Sequence, residues 1–426
     1  MRRDPIVAGI DVGTTKICTV IGRPTPRGAL DVLGVGLYPS DGLRRGVVVD
    51  RELTVNSIRE SVAAAERMAD VKIAGAYVGI TGDHIQCTNV TGRVRTGSTA
   101  EVTAEDVEKV IQSARDSVAL PSDRQVVHTI VRDFVLDGQK GVRRPIGMSA
   151  THLDAEVHVV TGMASMIWNV EKCVVEGGVE VQQSVLEPIA TGHAVLTEVE
   201  KDLGVILIDI GGGTTDIAAF ENGSICHSSA IPVAGNHLTR DIARVLHISL
   251  EDAEALKCRF GRALAEMASA DDYVQITLTG TGETERIPQK LISEIIEPRL
   301  EEIFTLTKSD LKRAGVYRSL NGGVVISGGG AQLSEAWRLA STVLDGLPVR
   351  VGSPRNLVGL AESVATPAHA TGVGLAIQAA EEGADATAGA VAEGFSVRQL
   401  MHRARAWWQD FAPRFQNAAL RVTRRY

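Results

Sequence analysis

The sequence predicts an α/β protein made of two similar halves, with an α+β segment inserted in the first half and an amphipathic helix at the C-terminus. The pattern GVILIDIGGGTTDIAAF at 204–220 repeats IVAGIDVGTTKICTVIG at 6–22, which indicates the duplication. Residues 83–160 are rich in β-branched residues around one helical pattern, which indicates the insertion. The chain has 426 residues, more than one hydrophobic core usually serves, so two or more domains are expected.

The composition is that of a globular protein, with 44% hydrophobic, 23% charged and 4% aromatic residues. The five cysteines are scattered singly, without a CxxC pair, which favours a reducing cytosol over a disulfide scaffold. The apolar run at 6–10 is too short for a signal peptide, and no stretch of eighteen apolar residues predicts a membrane-spanning helix. We therefore expect a cytosolic protein.

Charge is distributed unevenly along the chain. Residues 396–426 contain seven arginines and one acid, Asp410, which gives this segment a charge of +6. Subtracting it from the net charge of −8 leaves −14 on residues 1–395. Because an acidic body repels phosphate backbones, we expect no nucleic-acid partner, and the basic tail is a separate electrostatic element.

The first half should contain four strands and a helix before the insertion. IVAGID, KICTVIG, ALDVLGVGLY and AYVGITG predict the strands, and DRELTVNSIRESVAAAERMAD predicts a helix with Asp50 as its N-cap. The insertion should contain one helix from Thr103 to Ala119, opening with the capping-box-like sequence TAED. A helix at 165–177 and the strand VEVQQSV follow it.

The second half should repeat this plan after residue 204. Helical patterns cover 236–269 and 290–314, VVISGGG at 324–330 predicts a buried strand, and a further helix is expected around 367–380. The small residues of 382–395 predict a short flexible linker before the basic tail.

The two repeated turns predict a pair of phosphate-binding loops. Glycines let backbone N–H groups approach a polyphosphate, threonine hydroxyls add donors, and a lysine adds positive charge. The residues concerned are Gly13, Thr14, Thr15 and Lys16 in the first loop and Gly211, Gly212, Gly213, Thr214 and Thr215 in the second. Asp11 and Asp209 at the strand ends are candidates to hold Mg²⁺ through water, beside ATP. A simple hairpin turn explains one such loop, but a matched pair favours binding.

Three glycines and one charged pair predict contacts with the adenosine. Gly328, Gly329 and Gly330 follow the apolar strand VVIS and would permit close approach, although a plain strand-to-helix turn is the alternative. Glu254 and Lys257 lie one helical turn apart and could reach a ribose or base, although an exposed ion pair is the commoner explanation. Neither phosphate loop has the GxxxxGK[ST] pattern of a P-loop, and no GxGxxG follows the first strand.

The tail pattern predicts a helix that lies in a membrane interface. Aromatic residues fall on one face and arginines flank it, a composition suited to an anionic membrane surface. The residues expected to carry the contact are Arg403, Arg405, Trp407, Trp408, Phe411, Arg414 and Phe415. Pro413 should kink or divide the helix. The alternative is a helix packed on the body or on a partner.

Seven segments resemble the FtsA family of bacterial cell-division proteins, within the superfamily of actin, sugar kinases and heat-shock chaperones. They are DVGTTKI, LEPIATGHAVL, DIGGGTTDI, VAGNHLTRDIA, EDAEALK, VISGGGAQL and PAHATGVGLAI, in that order. The resemblance implies a duplicated actin-like (ribonuclease H-like) fold. It further implies these parts: a first subdomain from 1–82, 161–191 and 362–381; an inserted subdomain 83–160; a second subdomain from 192–230 and 296–361; a small subdomain 231–295; a linker 382–395; and a membrane-targeting helix 396–426.

The same resemblance implies a function and several partners. Members form actin-like filaments on the cytoplasmic face of the membrane at the division site and bind the C-terminal tail of the tubulin-like protein FtsZ. This contact would lie on 231–295 and the following helix, with Arg299 as a candidate, and 83–160 would contact later division proteins. Glu187 stands where relatives orient the attacking water, so at most weak ATP hydrolysis is expected.

Other functions of the superfamily stay open at this point. A small-molecule or sugar kinase would need a general-base aspartate that the sequence does not reveal, and it has no use for a tryptophan- and arginine-rich tail. A chaperone would need a peptide-binding domain after residue 380, where forty-six residues remain. A pilus-assembly scaffold of the same fold would be expected to lack the anchoring tail.

Overall fold

The computed structural model describes residues 6–97, 101–317 and 320–389. The chain begins with three antiparallel strands, β1 (Val7–Val12), β2 (Lys16–Pro24) and β3 (Leu30–Pro39). A short hairpin, β4 (Leu43–Arg44) and β5 (Val47–Val48), leads to helix α1 (Arg51–Ala69), and β6 (Gly75–Ile80) then pairs parallel to β1. These elements confirm the strands and helix expected from the sequence.

Helix α1 packs closely on β3. The Asp50 carboxylate accepts a hydrogen bond from the backbone N–H of Leu53 at 3.1 Å and so caps the helix as predicted. A Cβ atom at Gly34 or Gly36 of β3 would overlap the backbone of α1, so only glycine permits this approach. The helix thereby covers the face of the first sheet with Ile58 and Val62.

The insertion folds as a small α+β unit, as predicted. Its elements are β7 (Gln86–Arg95), α2 (Ala104–Asp116), β8 (Arg124–Leu136), β9 (Gln139–Val142) and β10 (His152–Met163). The strands form a sheet in the order β7-β10-β8-β9. Thr103 and Asp106 make both hydrogen bonds of the capping box at the start of α2. Val110 and Ala114 of this helix are buried against the sheet.

The chain then returns to the first half. It forms α3 (Ala164–Glu176), β11 (Glu180–Leu186), α4 (Glu187–Val195) and α5 (Glu198–Leu203). Strand β11 pairs parallel to β6, and α4 starts directly where β11 ends. Glu187 therefore stands at the junction of a buried strand and a buried helix.

The second half repeats the topology of the first. Its elements are β12 (Val205–Ile210), β13 (Thr215–Glu221), β14 (Ser224–Ile231), α6 (Gly235–Leu246), α7 (Leu250–Phe260), β15 (Tyr273–Thr277), β16 (Thr284–Pro288), α8 (Gln289–Arg313), β17 (Val324–Ser327), α9 (Ala336–Val343) and β18 (Val349–Val351). The chain then returns to the first half with β19 (Leu357–Gly359) and α10 (Ala370–Gly389). Strands β12, β13 and β14 are antiparallel and β17 pairs parallel to β12, as β6 does to β1. The duplicated fold is thus present in the described residues.

The boundary between the halves differs from the predicted one. Strand β19 pairs parallel to β3 and forms the edge of the first sheet, whose order is β11-β6-β1-β2-β3-β19. The assignment of 296–361 to the second subdomain is therefore wrong at its end, because the chain has already crossed back by Leu357. Three residues of strand are too few to give a recognisable sequence pattern.

Two further expectations need correction. The helical pattern at 236–269 is two helices and not one, because His247 adopts a left-handed conformation (φ 55°) after α6, and Ser249 caps α7. The hairpin β15–β16 follows them, and it was not expected from the sequence pattern. The linker predicted at 382–395 is helical as far as Gly389, because α10 continues through its alanine-rich start. The rest of the predicted linker and the tail lie outside the described residues.

Helix α10 joins the first sheet to α4 through small residues. A Cβ atom at Gly9 of β1 would lie 2.6 Å from the carbonyl oxygen of Gly372, and one at Gly374 would overlap the backbone of Ala190. These close contacts fix the end of β1, and with it Asp11, relative to α4 and Glu187.

Candidate functional site

A cavity of about 440 Å³ lies between the two halves, where both repeated turns meet. It is lined by residues predicted from the sequence, namely Asp11, Gly13, Thr14, Thr15, Lys16, Glu187, Asp209, Gly211, Gly212, Gly213, Thr214, Glu254, Lys257, Gly328, Gly329 and Gly330. Its size is in the range of small-molecule sites. The structure therefore brings both predicted loops and the predicted adenosine residues to one place.

Thr215 is an exception among the predicted loop residues. It is fully buried, and its hydroxyl donates to the carbonyl oxygen of Val233 at 2.8 Å. The hydroxyl thus joins strand β13 to the loop before α6 and does not line the cavity. The prediction that Thr215 contacts phosphate is wrong, because the side chain points to the opposite side of the strand from Thr214.

The two loops touch across the cleft. A Cβ atom at Gly212 would overlap the hydroxyl of Thr15, and one at Gly213 would crowd the hydroxyl of Thr14. The backbone N–H of Gly46 also donates to the hydroxyl of Thr14 at 3.2 Å, which fixes its orientation. The second loop must therefore be free of side chains to close against the threonines of the first.

Four carboxyl groups crowd the floor of the cleft in the described part of the chain: Asp11, Glu187, Asp209 and Asp216. Burial raises the pKa of Asp11 to about 7, an effect that Lys16 partly opposes and Asp209 reinforces. Burial likewise raises the pKa of Asp216 to about 7. The pKa of Glu187 is raised well above its ordinary value by burial and by its three acidic neighbours. The floor of the cleft thus concentrates acidic groups whose ionised forms are disfavoured unless positive charge is bound beside them.

The hydrogen bonds of these carboxyl groups are unequal. Asp209 Oδ2 accepts from the hydroxyls of Thr191 at 2.6 Å and Thr371 at 3.2 Å. Asp216 accepts from Thr81 and Thr214. The buried Oε1 of Glu187, in contrast, has no hydrogen-bond partner among the described residues. An unpartnered buried oxygen that lines a cavity is well placed to accept a hydrogen bond from a bound molecule or water.

Positive charge enters the cleft from two lysines. The ammonium of Lys16 donates to the carbonyl oxygen of Ala368 and lies close enough to lower the pKa of Asp11. Lys257 Nζ lies 2.7 Å from Glu254 Oε2 and 2.9 Å from Thr239 Oγ1. Glu254 and Lys257 therefore form the ion pair that the sequence spacing predicted, and the pair also lines the cavity.

The three glycines after β17 serve different purposes. Gly328 has φ 80°, and a Cβ atom there would overlap Asp209, whereas a Cβ atom at Gly330 would overlap Ile210. Both glycines thus allow this turn to pack on the end of β12. Gly329 has open space where its Cβ atom would lie. It is the one of the three that leaves room for a ligand.

Sequence reasoning missed Asp216, Thr81 and Thr371. Asp216 is the second residue of β13 and directly precedes the buried apolar run from Ile217 to Phe220, and an acid in that position is a signal that the sequence offers. The role of Thr81 follows from a contact with Asp216, 135 residues away in the chain, for which the sequence holds no local signal.

The remaining predicted site residues lie elsewhere. Arg299, on α8, donates to Asp241 Oδ2 at 2.6 Å and to Glu302, and its side chain is 30% exposed. Arg403, Arg405, Trp407, Trp408, Phe411, Arg414 and Phe415 lie outside the described residues. Among the helices that are described, none combines the length and hydropathy needed to span a membrane. No cluster of three or more histidine, cysteine or acidic residues within that part of the chain is arranged to hold a metal ion.

Comparison with protein families gives two matches. Residues 206–374 match the family described as "Cell division protein FtsA", and residues 82–161 match the "SHS2 domain inserted in FTSA". The chain is 41% identical over 380 residues to a cell division protein FtsA of Pseudomonas aeruginosa, covering 89% of this chain and 90% of that protein. It is 36% identical over 377 residues to one of Escherichia coli K12, covering 87% and 89%.

Solved structures share the fold at low sequence identity. The PilM-PilN type IV pilus biogenesis complex contains a chain that is 15% identical, with a TM-score of 0.65, and covers 89% of this chain and 99% of that one. MreB5 of Spiroplasma citri, solved bound to AMPPNP, is 15% identical with a TM-score of 0.55 and covers 91% and 99%. These likenesses establish an actin-like fold.

Proposed function

Because this chain belongs to the FtsA family of cell division proteins, we propose that it is an ATP-binding, actin-like scaffold. It polymerises on the cytoplasmic face of the membrane and tethers the FtsZ ring at the division site. The observation that carries the proposal is the acidic cleft, in which two glycine loops from different halves of the molecule meet. A ligand that contacts both loops couples its binding to the relative position of the halves.

The residues of the cleft fit a magnesium nucleotide. Backbone N–H groups of the two loops and the ammonium of Lys16 would hold the phosphates, while Glu254, Lys257 and Gly329 would surround the adenosine. Asp11 and Asp209 would hold Mg²⁺, and the positive charge of the ion would offset the negative charge of the phosphates. Burial and the neighbouring Asp209 raise the pKa of Asp11 even though Lys16 opposes them, and the buried Oε1 of Glu187 has no partner among the described residues. Both observations support a site that also takes a bound cation.

Glu187 would orient a water molecule near the end of the phosphates, and its surroundings favour the protonated form of its carboxyl group over the carboxylate that acts as a base. Burial beside three other acids favours the protonated form of its carboxyl group, and a protonated carboxyl group does not accept a proton from water. This supports slow hydrolysis at most. ATP then acts mainly as the ligand that holds the cleft closed, and the conformation so fixed is the one that polymerises.

The tail and two surfaces of the body would bind the proposed partners. Residues 396–426 would lie in the interface of an anionic membrane through Trp407 and Phe411, with the arginines near the headgroups. The C-terminal tail of FtsZ would bind near Arg299, whose guanidinium already engages two acidic side chains. The inserted subdomain at 83–160 would contact later division proteins.

Co-sedimentation with anionic vesicles tests the membrane part of the proposal. The full chain with ATP should sediment with the vesicles, whereas a Trp407→Glu/Phe411→Glu double variant should stay in the supernatant while binding ATP normally. Trp168→Glu is the matched control, because Trp168 is an exposed tryptophan of the body at 55%. Undiminished sedimentation of the double variant would sink the proposed anchor.

Capture of an FtsZ C-terminal tail peptide tests the partner. The double variant, which should remain soluble without lipid, should bind the peptide, and Arg299→Ala should weaken binding more than Arg338→Ala on the exposed surface. Absence of binding at high peptide concentration would remove FtsZ from the proposal and leave ATP binding untouched.

A further inference from the structure

A cysteine, a histidine and an aspartate form a chain of contacts where the inserted subdomain packs on the second half. Cys87 Sγ on β7 lies 3.8 Å from His227 Nδ1 on β14, and His227 Nε2 lies 2.8 Å from Asp310 Oδ2 on α8. The hydroxyl of Ser229 donates to the same Asp310 oxygen at 2.6 Å, and Arg313 pairs with the other. We call Cys87, His227 and Asp310 the junction cluster.

The arrangement has the form of an activated nucleophile. A thiol is activated when an imidazole within reach takes its proton and a third group orients that imidazole. Here Asp310 occupies one ring nitrogen of His227 and so directs the other toward Cys87. The orientation is held by two elements of the second half, β14 and α8, while the thiol comes from the insertion.

The electrostatics agree with this geometry. Burial lowers the pKa of His227, but the hydrogen bonds to Asp310 and Cys87 outweigh it and raise the pKa to about 9. Burial raises the pKa of the Cys87 thiol, but hydrogen bonds from His227 and Ser228 outweigh it and lower the pKa below its ordinary value. Other charged or titratable groups around the cluster are His158, Arg132, Glu221, Cys226 and Arg313.

The five cysteines differ in access to solvent. Cys18, Cys173 and Cys226 are buried, Cys87 is half-buried and Cys258 is exposed. Cys258 lies beside Glu254, and burial together with that carboxylate raises the pKa of its thiol. Cys87 and Cys258 are thus the two cysteines that are not fully buried, and their thiols have opposite electrostatic surroundings, so Cys258 serves as an internal control.

We propose that Cys87 is a modification site, a thiolate held by His227 and Asp310 that reacts with small electrophiles and is oxidised by hydroperoxides to sulfenic acid. The thiolate sulfur attacks one peroxide oxygen, a sulfur–oxygen bond forms and the oxygen–oxygen bond breaks. Sulfur is oxidised and the peroxide is reduced. The departing hydroxide takes the proton of the His227 imidazolium and leaves as water.

The position of Cys87 gives such a reaction a structural consequence. Beside it, Asn89 donates to the carbonyl oxygen of Cys226 at 2.8 Å, and His158 lies 2.7 Å from Asn89 Oδ1 and 3.0 Å from Ser228 Oγ. An added oxygen or alkyl group at Cys87 enters this set of contacts between the insertion and β14. Modification therefore weakens the docking of the inserted subdomain.

Alkylation of the full chain by iodoacetamide, followed by peptide mass spectrometry across pH 5.5 to 9, measures both thiols in one sample. Cys87 should react faster than Cys258 at pH 7 by about ten-fold or more, and its rate should level off at a lower pH. With hydrogen peroxide and a sulfenic-acid trap, the adduct should appear on Cys87 before Cys258. Equal or slower alkylation of Cys87 at pH 7 would overturn the proposal.

Two variants distinguish activation of the Cys87 thiol by His227 and Asp310 from simple access of the reagent to Cys87. His227→Gln and Asp310→Asn should each lower the rate at Cys87 near pH 7 and move its pH profile upward, while the rate at Cys258 stays the same. Glu254→Gln should do the reverse, raising the rate at Cys258 alone. If His227→Gln disturbs the docking of the inserted subdomain on the second half, Cys87 becomes more exposed, and its alkylation rate at pH 9 will rise. An unchanged Cys87 profile in both variants contradicts the proposed activation.

Discussion

The cleft between the two halves and the junction cluster are both buried sets of polar groups between different parts of the chain, but their charges are arranged in opposite ways. In the cleft, Asp11, Glu187, Asp209 and Asp216 lie together, and burial raises the pKa of each of them, with neighbouring acids adding to the effect at Asp11, Glu187 and Asp216. In the junction cluster, the His227 imidazolium lies beside the Asp310 carboxylate, and the two stabilise each other's charge. The acidic groups of a buried site that binds a cation are not fully neutralised by the chain. The charges of a buried site that joins two subdomains are neutralised by each other.

The largest effect should come from closing the cleft with a side chain. Gly212→Val should reduce ATP affinity by about a hundred-fold or more, since its Cβ would overlap Thr15 and its methyl groups would occupy the phosphate site. Fluorescence titration with an ATP analogue measures the loss. Gly97→Val, at an exposed position with open space around it, is the control. Normal affinity in Gly212→Val would refute the two-loop clamp.

A smaller effect is expected when the junction cluster loses its acid. Asp310→Asn should lower the free energy of unfolding by about 2 kcal/mol, since it leaves the buried imidazolium of His227 without its carboxylate. The folded-state pKa of His227 is about 9, above its ordinary value of 6.5, so the stabilisation is fully present below pH 6.5 and declines as pH rises through 9. Denaturant unfolding at pH 6 and pH 9.5 measures both values.

Asp345→Asn is the matched control for that experiment. Asp345 also pairs with a cation, Lys308 at 2.6 Å, but on the exposed surface, where solvent screens the interaction. Its substitution should change stability little at either pH. A cost of Asp310→Asn that grows as pH rises would contradict the charge assignment in the junction cluster.

Removing an acid from the cleft should raise the free energy of unfolding, and the change should be smaller than that of Asp310→Asn. Asp11→Asn should stabilise the nucleotide-free protein by about 1 kcal/mol at pH 8, above the raised pKa of Asp11, because it relieves the crowding of carboxylates. Magnesium-dependent ATP affinity should fall at the same time. Thermal unfolding with and without Mg²⁺ and ATP measures both, with Asp41→Asn on the exposed surface as control. If Asp11→Asn destabilises the nucleotide-free protein, the proposed difference in charge arrangement between the cleft and the junction cluster is wrong.

The parts of the cleft that the sequence predicted are those that belong to short local sequence patterns. Asp11 and Asp209 end buried strands in two copies of one pattern, so their shared environment could be inferred from the repeat. Thr81 and Asp216 meet across 135 residues, and Cys87 and His227 across 140. Such pairs depend on how whole elements dock, which local periodicity does not encode.

The errors in the fold have similar causes. Strand β19 has three residues and is defined only by its partner β3, so its place in the first sheet could not be inferred. The neighbours of Thr215 suit a role at the phosphate, so the sequence predicts the same role for Thr215, but strand alternation turns its side chain toward Val233. In the predicted linker, the small residues favour flexibility, but alanine is also the strongest helix former, and α10 continues into this segment.

Isothermal titration of the nucleotide-free full chain with ATP, in the presence and absence of Mg²⁺, tests the central claim most directly. The unbalanced acidic cleft predicts one ATP bound per chain, with affinity at least about ten-fold higher when Mg²⁺ is present, because the ion offsets repulsion between carboxylates and phosphates. Binding that is absent, or equally tight without Mg²⁺, would contradict it.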